Sequence, residues 1–211
     1  MDKMYINKTK SIPSIYKNIE KWQINRRKFV KTLGVTAIVS QIGVVASCTT
    51  QQKEVYEANE YLTALQTEIV KRIQEVLFPN DGNGPSVKDV NAYEHFLWIL
   101  SDKRKPKSSI EYYINGIDWS EETAQETYAK SFSELNDKEV EDLVAIIADE
   151  SWGKSWLSVM LTFILEALAL DPIYNINTNK VGWEWLSQFE GTPRPNENVT
   201  YTKIFKTIGT E

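Results

Sequence analysis

A nearly continuous apolar segment reads Lys154-Ser-Trp-Leu-Ser-Val-Met-Leu-Thr-Phe-Ile-Leu-Glu-Ala-Leu-Ala-Leu170, and Ser158 and Glu166 interrupt it. A helix that is apolar on almost every side lies either in the middle of a bundle or beneath a partner protein. The segment is shorter than the about 20 apolar residues that a membrane-spanning helix needs. Asp171-Pro172 ends it, because proline cannot continue a helix. The sequence therefore predicts a central helix and leaves open whether other helices or a partner cover it.

Two other segments combine an amphipathic stripe with a helix start signal. Thr63 and Gln66 have the spacing of a capping box, in which the hydroxyl and the amide side chain each bind a backbone N–H. The helix that follows is expected to end at Pro79. Asn136, with Glu139 three residues later, marks the start of the second segment. Both stripes have the spacing of a helix face: Leu65, Ile69, Ile73, Val76 and Leu77 in one, and Val140, Leu143, Val144, Ile147 and Ala148 in the other.

Three further helices are predicted between these segments. They cover residues 87–100, residues 110–117 with a stop near Gly116, and residues 120–132. Residues 173–211 combine aromatic side chains with many Asn, Gly and Pro residues, which predicts an irregular, aromatic-rich carboxy-terminal arm. The predicted fold class is therefore all-α, a bundle of five to six helices that ends in this arm.

The amino-terminal region has the organisation of an export signal. Asn25-Arg-Arg-Lys-Phe-Val-Lys31 is followed by an uncharged, weakly apolar run from Thr32 to Ser47. A basic head, a short apolar run and small residues before a processing point are typical of such signals. The pair Arg26-Arg27, with Phe29 and Lys31 after it, resembles the twin-arginine type, which exports proteins that are already folded. The alternative is an ordinary basic, amphipathic amino terminus.

The apolar run ends at the only cysteine of the chain. Val45-Ala-Ser-Cys48 resembles a lipobox, the site at which a bacterial lipoprotein is cleaved and its new terminal cysteine is acylated. The alternative is cleavage elsewhere, with a cysteine that happens to end the run. The predicted organisation is a signal at residues 1–48, a polar tether at 49–60 and a helical domain at 61–211. With one cysteine, the chain forms no internal disulfide.

Composition argues against nucleic-acid binding and leaves the role of the aromatic residues open. The formal net charge is -5 and the sequence pI is about 5.2, and the only dense basic run, Lys103-Arg-Lys105, is short. A nucleic-acid-binding domain usually carries a basic patch, so no nucleic-acid partner is predicted. The tryptophans, tyrosines and phenylalanines are numerous, but such residues serve cores as well as partner surfaces. Their number alone does not separate the two roles.

The sequence predicts no catalytic, cofactor-binding or metal-binding residue. His95 is the only histidine, which excludes a His-rich metal site, and a structural role for it is favoured over a catalytic one. Dinucleotide-binding and nucleophile-elbow motifs are absent. The acidic clusters at helix starts are explained by the helix dipole. A calcium site at Asn80, Asp81 and Asn83 is conceivable, but a simple turn is favoured because the bidentate glutamate of the known loop is missing.

One block stands out for its composition. It runs from Asp171 to Trp183 and is followed by Gly191-Thr-Pro-Arg-Pro195. Asparagine side chains mimic backbone turns and tolerate left-handed backbone, so the block is predicted to be a fixed surface that bears aromatic side chains. Such a surface suits docking on another protein. The candidate partner contacts are Tyr174, Trp183, Trp185, Pro193 and Pro195.

With these features, the chain resembles the gluconate 2-dehydrogenase subunit 3 family. The resemblance rests on Arg26-Arg27, on the helix that ends at Pro79 with the Asp81-Gly82 turn, and on Tyr93-Glu-His-Phe96. It also rests on the blocks Asp171-Pro-Ile-Tyr174 and Val181-Gly-Trp183. Members of this family often have two glycines after the tyrosine, where this chain has Asn175-Ile176. That departure makes the backbone of the loop less permissive.

The resemblance implies a role as well as a fold. Proteins of this family look like small, non-catalytic partners of a glucose–methanol–choline-type flavoprotein that carries FAD. The large subunit oxidises a sugar, a sugar acid or an alcohol in the periplasm and passes electrons to a cytochrome c subunit or a quinone. The complex is associated with the membrane, and a lipid on Cys48 would add to that association. Two alternatives stay open: a free-standing lipoprotein that binds a ligand through its aromatic arm, and an enzyme that uses His95 or an acid pair as base.

Overall fold

The computed structural model describes most of the predicted helical domain. The described residues are 54–188, 190, 191, 196, 200, 201 and 203. They contain six α-helices and no strand: α1 (Ala64–Leu77), α2 (Ala92–Ser101), α3 (Lys107–Tyr128), α4 (Asp137–Asp149), α5 (Ser151–Ala169) and α6 (Val181–Trp185). Two short 3₁₀ helices, Phe132–Glu134 and Pro172–Tyr174, lie before α4 and after α5. The predicted all-α class is therefore confirmed.

Helix α5 is the centre of the bundle. It contacts each of the other five helices, and Trp156, Met160, Ile164 and Leu168 along its length are completely buried. The prediction of a central helix is confirmed, and it is the bundle itself that covers the apolar faces of α5. None of the described helices is long and apolar enough to cross a membrane.

The core has two parts. The larger part joins α1, α2, α3 and α4 to the first two-thirds of α5. The smaller part surrounds the carboxy-terminal end of α5 and includes Phe78, Val87, Val90, Ile164, Leu168 and Ile176. This second cluster holds the segment after α5 against the loop between α1 and α2, and it therefore positions the block that the sequence singled out.

Both predicted capping boxes are present. The side chain of Thr63 accepts a hydrogen bond from the backbone N–H of Gln66, and the side chain of Gln66 accepts one from the N–H of Thr63. Asn136 and Glu139 exchange the same pair of bonds at the start of α4. These bonds satisfy backbone donors that have no partner within the helix.

We expect Thr63→Ala to lower the free energy of unfolding by about 1 kcal/mol, since the cap at the start of α1 would be lost. Urea unfolding followed by circular dichroism measures this as a shift of the midpoint at constant slope. Thr63→Ser keeps the hydroxyl and is the matched control. An equal loss in both variants would show that the threonine methyl group, and not the cap, stabilises the helix start.

Helix α3 corrects one prediction. The sequence predicted separate helices at residues 110–117 and 120–132 with a stop near Gly116, but one helix runs from Lys107 to Tyr128. Gly116 is buried in the interior of α3, where a Cβ atom would lie 2.2 Å from the indole of Trp156. The glycine is therefore explained by the close approach of α5 and does not end the helix.

The start of α2 corrects a second prediction. The helix was expected to begin at Val87 but begins at Ala92, after Asn91 in the left-handed region with φ 53°. The carboxylate of Asp89 accepts hydrogen bonds from the backbone N–H and the hydroxyl of Ser86, which stabilises a turn. These bonds also hold the pKa of Asp89 below its ordinary value. Val87 and Val90 are nevertheless buried, which explains why the apolar spacing extends beyond the helix.

The described end of the predicted tether lies on the bundle. The side chain of Asn59 donates to the hydroxyl of Tyr93 at 2.8 Å and accepts from the backbone N–H groups of Tyr61 and Leu62. The ammonium group of Lys71 lies 5.7 Å from the ring centroid of Tyr56. Residues 54–60 thus contact α1 and α2, while residues 49–53 lie outside the described part of the chain.

Candidate functional site

Several residues to which the sequence assigns a role in export, lipidation or partner contact lie outside the described residues. They are Arg26, Arg27, Phe29 and Lys31 of the export signal, Cys48 of the lipobox, and Pro193 and Pro195 of the carboxy-terminal arm. The other three candidate contacts, Tyr174, Trp183 and Trp185, are described, and all of them pack against the bundle.

Trp183 is bound to the end of the central helix. The residue is 5% exposed, and its Nε1 donates to the backbone carbonyl of Ala169 at 2.8 Å. The last carbonyls of a helix have no partner within the helix. Trp183 therefore caps α5 and offers little surface to another molecule.

Asn177 completes this cap. Its side-chain amide donates to the carbonyls of Leu168 at 3.2 Å and Leu170 at 3.3 Å, while its Oδ1 accepts from the backbone N–H of Gly182 at 2.8 Å. The residue is completely buried, so these bonds replace water as the partner of three backbone groups. Asn177 thus connects α5 to α6. The sequence indicated asparagine-rich turns here but not this role.

The family departure at Asn175 is accommodated by its backbone. Asn175 lies in the left-handed region with φ 60°, directly after the 3₁₀ helix at Pro172–Tyr174. Glycine favours this region, and asparagine is one of the few other residues that visit it regularly. Asn175 thus adopts the left-handed conformation that a glycine at this position would favour.

Trp185 lies at the other end of α6, against the turn that follows α1. Its Nε1 donates to the carbonyl of Asn83 at 2.7 Å, and its ring meets Phe78 edge to face at 5.8 Å. A Cβ atom on Gly84 would lie 2.5 Å from the indole, so glycine is required for this close approach. In the same turn, Asp81 accepts from the N–H of Asn83 as in a simple turn.

Tyr174 is part of a half-buried aromatic cluster. Its ring stacks on Trp98 at 5.8 Å, and Tyr201 meets Trp98 edge to face at 5.7 Å. The hydroxyl of Tyr174 also accepts from the backbone N–H of Tyr201. Trp98 and Tyr201 border a cleft of about 400 Å³, which we call the Trp98 cleft. It is lined by His95, Trp98, Ile99, Asp102, Lys105, Glu166, Ala169, Leu170 and Tyr201.

A histidine–carboxylate pair lies in the Trp98 cleft. Nε2 of His95 is 3.0 Å from Oε2 of Glu166, and the two residues are 71 positions apart in the sequence. His95 is only 2% exposed, whereas the side chain of Glu166 is 48% exposed. In the sequence His95 is a lone histidine, and nothing there assigns a role to Glu166. The contact joins α2 to α5, and no local pattern signals such a pair.

A second carboxylate lies at the rim of the cleft. Asp102 binds the guanidinium of Arg104 at 2.9 Å, and that guanidinium lies 4.0 Å from the ring centroid of Tyr201. Burial, the largest single influence, acts to raise the pKa of Asp102. Hydrogen bonds from Arg104 and its charge nevertheless hold that pKa below its ordinary value. Asp102 is thus an anion whose charge an arginine already compensates.

Two other features bear on the chemistry of the chain. Among the described residues, no group of three or more His, Cys, Asp or Glu side chains is arranged to hold a metal ion. The ring of His95 is too buried for its Nδ1 to be reached from solvent. In this arrangement His95 supports Glu166, and Glu166 is the group that meets solvent.

The comparison with protein families identifies the chain. A family model described as Gluconate 2-dehydrogenase subunit 3 matches residues 64–191, more than half of the chain and the whole span from α1 to α6. The chain therefore belongs to this family, and the family description indicates a subunit of a gluconate 2-dehydrogenase-like complex. Searches of curated proteins and of solved structures gave no match.

Proposed function

We propose that this member of the gluconate 2-dehydrogenase subunit 3 family is a non-catalytic accessory subunit of an exported, flavin-dependent dehydrogenase. Its partner is a large flavoprotein of the glucose–methanol–choline type that carries FAD and oxidises a sugar, a sugar acid or an alcohol. A cytochrome c subunit or a quinone accepts the electrons. The observation that carries this proposal is the family match, which spans every helix of the bundle.

The accessory role has two parts, export and stabilisation. The large subunit would fold around its flavin before export and leave the cytoplasm with this chain, whose signal contains Arg26-Arg27. A twin-arginine signal suits such cargo because its route carries folded proteins. In the periplasm, binding of this chain would stabilise the folded large subunit by mass action. Acylation of Cys48 would add a membrane anchor.

The described surface suits a partner contact that combines aromatic and charged side chains. The exposed large hydrophobic residues among the described residues are Val55, Tyr61 and Ile146. Within the described part of the chain, the Trp98 cleft, with its rings and its half-exposed carboxylate, is the more suitable contact.

We expect the double substitution Arg26→Lys and Arg27→Lys to reduce periplasmic flavoprotein at least about tenfold and to leave the complex in the cytoplasm. The substitution keeps the charge, so it tests for the paired arginines and not for a basic head. Cell fractionation, with flavin absorbance and dehydrogenase activity in each fraction, measures the effect.

Lys21→Arg is the control, because it leaves the pair intact and keeps the charge. If export of the flavoprotein does not depend on Arg26-Arg27, the proposed role of this chain in export is contradicted. Failure of any flavoprotein to co-purify with the wild-type chain would favour a free-standing lipoprotein instead.

A further inference from the structure

The Trp98 cleft contains a carboxylate that is only partly neutralised. Among the described residues, the one hydrogen-bond and ion-pair partner of the Glu166 carboxylate is His95. Glu166 is half-exposed. The walls of the cleft include the rings of Trp98 and Tyr201, and the apolar side chains that line it are those of Ile99, Ala169 and Leu170. An anion beside aromatic and aliphatic surface is a common arrangement for binding an organic cation.

The geometry of the pair leaves the carboxylate able to bind a second donor. A carboxylate oxygen only accepts, so Nε2 of His95 donates to Oε2 of Glu166. Among the described residues, Nδ1 of His95 is buried without a hydrogen-bond partner. His95 thus supplies one hydrogen bond, while the carboxylate of Glu166 is half-exposed and can accept further ones.

The rim of the same cleft shows which cation the site would accept. The guanidinium of Arg104 binds the carboxylate of Asp102 and lies over the ring of Tyr201. Glu166 and Trp98 offer a second carboxylate and a second ring in the same cleft. A guanidinium fits such a site better than an ammonium, because it is planar, stacks on rings and donates two parallel hydrogen bonds to a carboxylate.

From these contacts we infer that the Trp98 cleft receives an arginine side chain of the large flavoprotein subunit, with its guanidinium on Glu166. The inference rests on the proposed function, because it needs that partner. The side-chain stem would lie along Ile99, Ala169 and Leu170, where its methylene groups replace water on apolar surface. Lys105 also lines the cleft and opposes the incoming charge.

The test is the dissociation constant of the complex between this chain and the large subunit, measured at low and at physiological salt. Glu166→Gln keeps an acceptor for His95 and removes the charge, and we expect it to raise Kd about tenfold. Lys105→Gln removes the opposing charge and is expected to lower Kd. Glu111→Gln is the matched control, because Glu111 is exposed on α3, does not line the cleft and is expected to keep the wild-type Kd.

The outcomes separate this inference from the proposed function. A wild-type complex whose Kd is unchanged by Glu166→Gln would overturn the arginine site and leave the subunit role intact. An equal rise of Kd for Glu166→Gln and Glu111→Gln would also overturn it, because net charge alone would then explain the effect. Absence of any complex for the wild-type chain would overturn both. A higher Kd for Glu166→Gln but not for Glu111→Gln, together with a lower Kd for Lys105→Gln, supports the arginine site.

Discussion

Gly116→Ala is expected to lower the free energy of unfolding by about 3 kcal/mol, the upper end of the usual cost of overpacking a core. This change in stability is opposite in sign to the usual effect of replacing a glycine in a helix interior by alanine. In a helix interior, alanine is normally more stable than glycine by up to about 1 kcal/mol because it loses less backbone entropy. Urea unfolding of both proteins, analysed with a common slope, measures the difference.

The reason is the contact between α3 and α5. A Cβ atom on Gly116 would lie 2.2 Å from Cδ1 and Nε1 of Trp156, well inside van der Waals contact. The indole has little freedom to move, because it is completely buried and its Nε1 donates to the carbonyl of Tyr113 at 3.0 Å. The new methyl group therefore has to separate the two helices or break that hydrogen bond.

A double variant provides the control. Trp156→Phe alone is expected to cost about 2 kcal/mol, since it removes the bond to Tyr113 and leaves a small cavity. Adding Gly116→Ala to Trp156→Phe places the methyl group in that space. The double variant is therefore expected to lose at least about 1 kcal/mol less than the sum of the single losses. Strict additivity would show that the clash with Trp156 is not the cause.

The same contact shows where sequence analysis succeeds and where it fails. The central position of α5 was predictable because its apolar residues cover every side of the helix, a property of the segment itself. The caps at Thr63 and Asn136 were predictable because both partners lie within one turn. Gly116 was misinterpreted as a helix stop because the indole that requires it comes from another helix.

The candidate site depends on contacts that are still more distant in sequence. The sequence marked His95 and the block from Asp171 to Trp183 by residue type, but it did not pair His95 with Glu166. It also proposed Trp183 as a partner contact, and whether a partner touches it stays a prediction. Its indole is already bound to the end of α5. Composition identifies aromatic residues, while only the packing of the helices determines which of them remain accessible.

Asn177→Leu is expected to lower the free energy of unfolding by about 4 kcal/mol, which combines lost hydrogen bonds with backbone strain. The two side chains have similar size, so the core is not emptied. The loss has two sources. The carbonyls of Leu168 and Leu170 and the N–H of Gly182 lose their side-chain partner in the interior, and leucine is forced into the left-handed backbone at φ 51°.

Asn175→Leu separates these two sources. Asn175 has nearly the same backbone conformation, with φ 60°, but its side chain is exposed and makes no hydrogen bond among the described residues. Its substitution therefore carries the strain without the unpaired groups, at a cost of about 1 kcal/mol. The difference of about 3 kcal/mol between the two variants reports the buried hydrogen bonds. Equal losses would mean that backbone strain alone makes asparagine necessary, and that the end of α5 is held without its side chain.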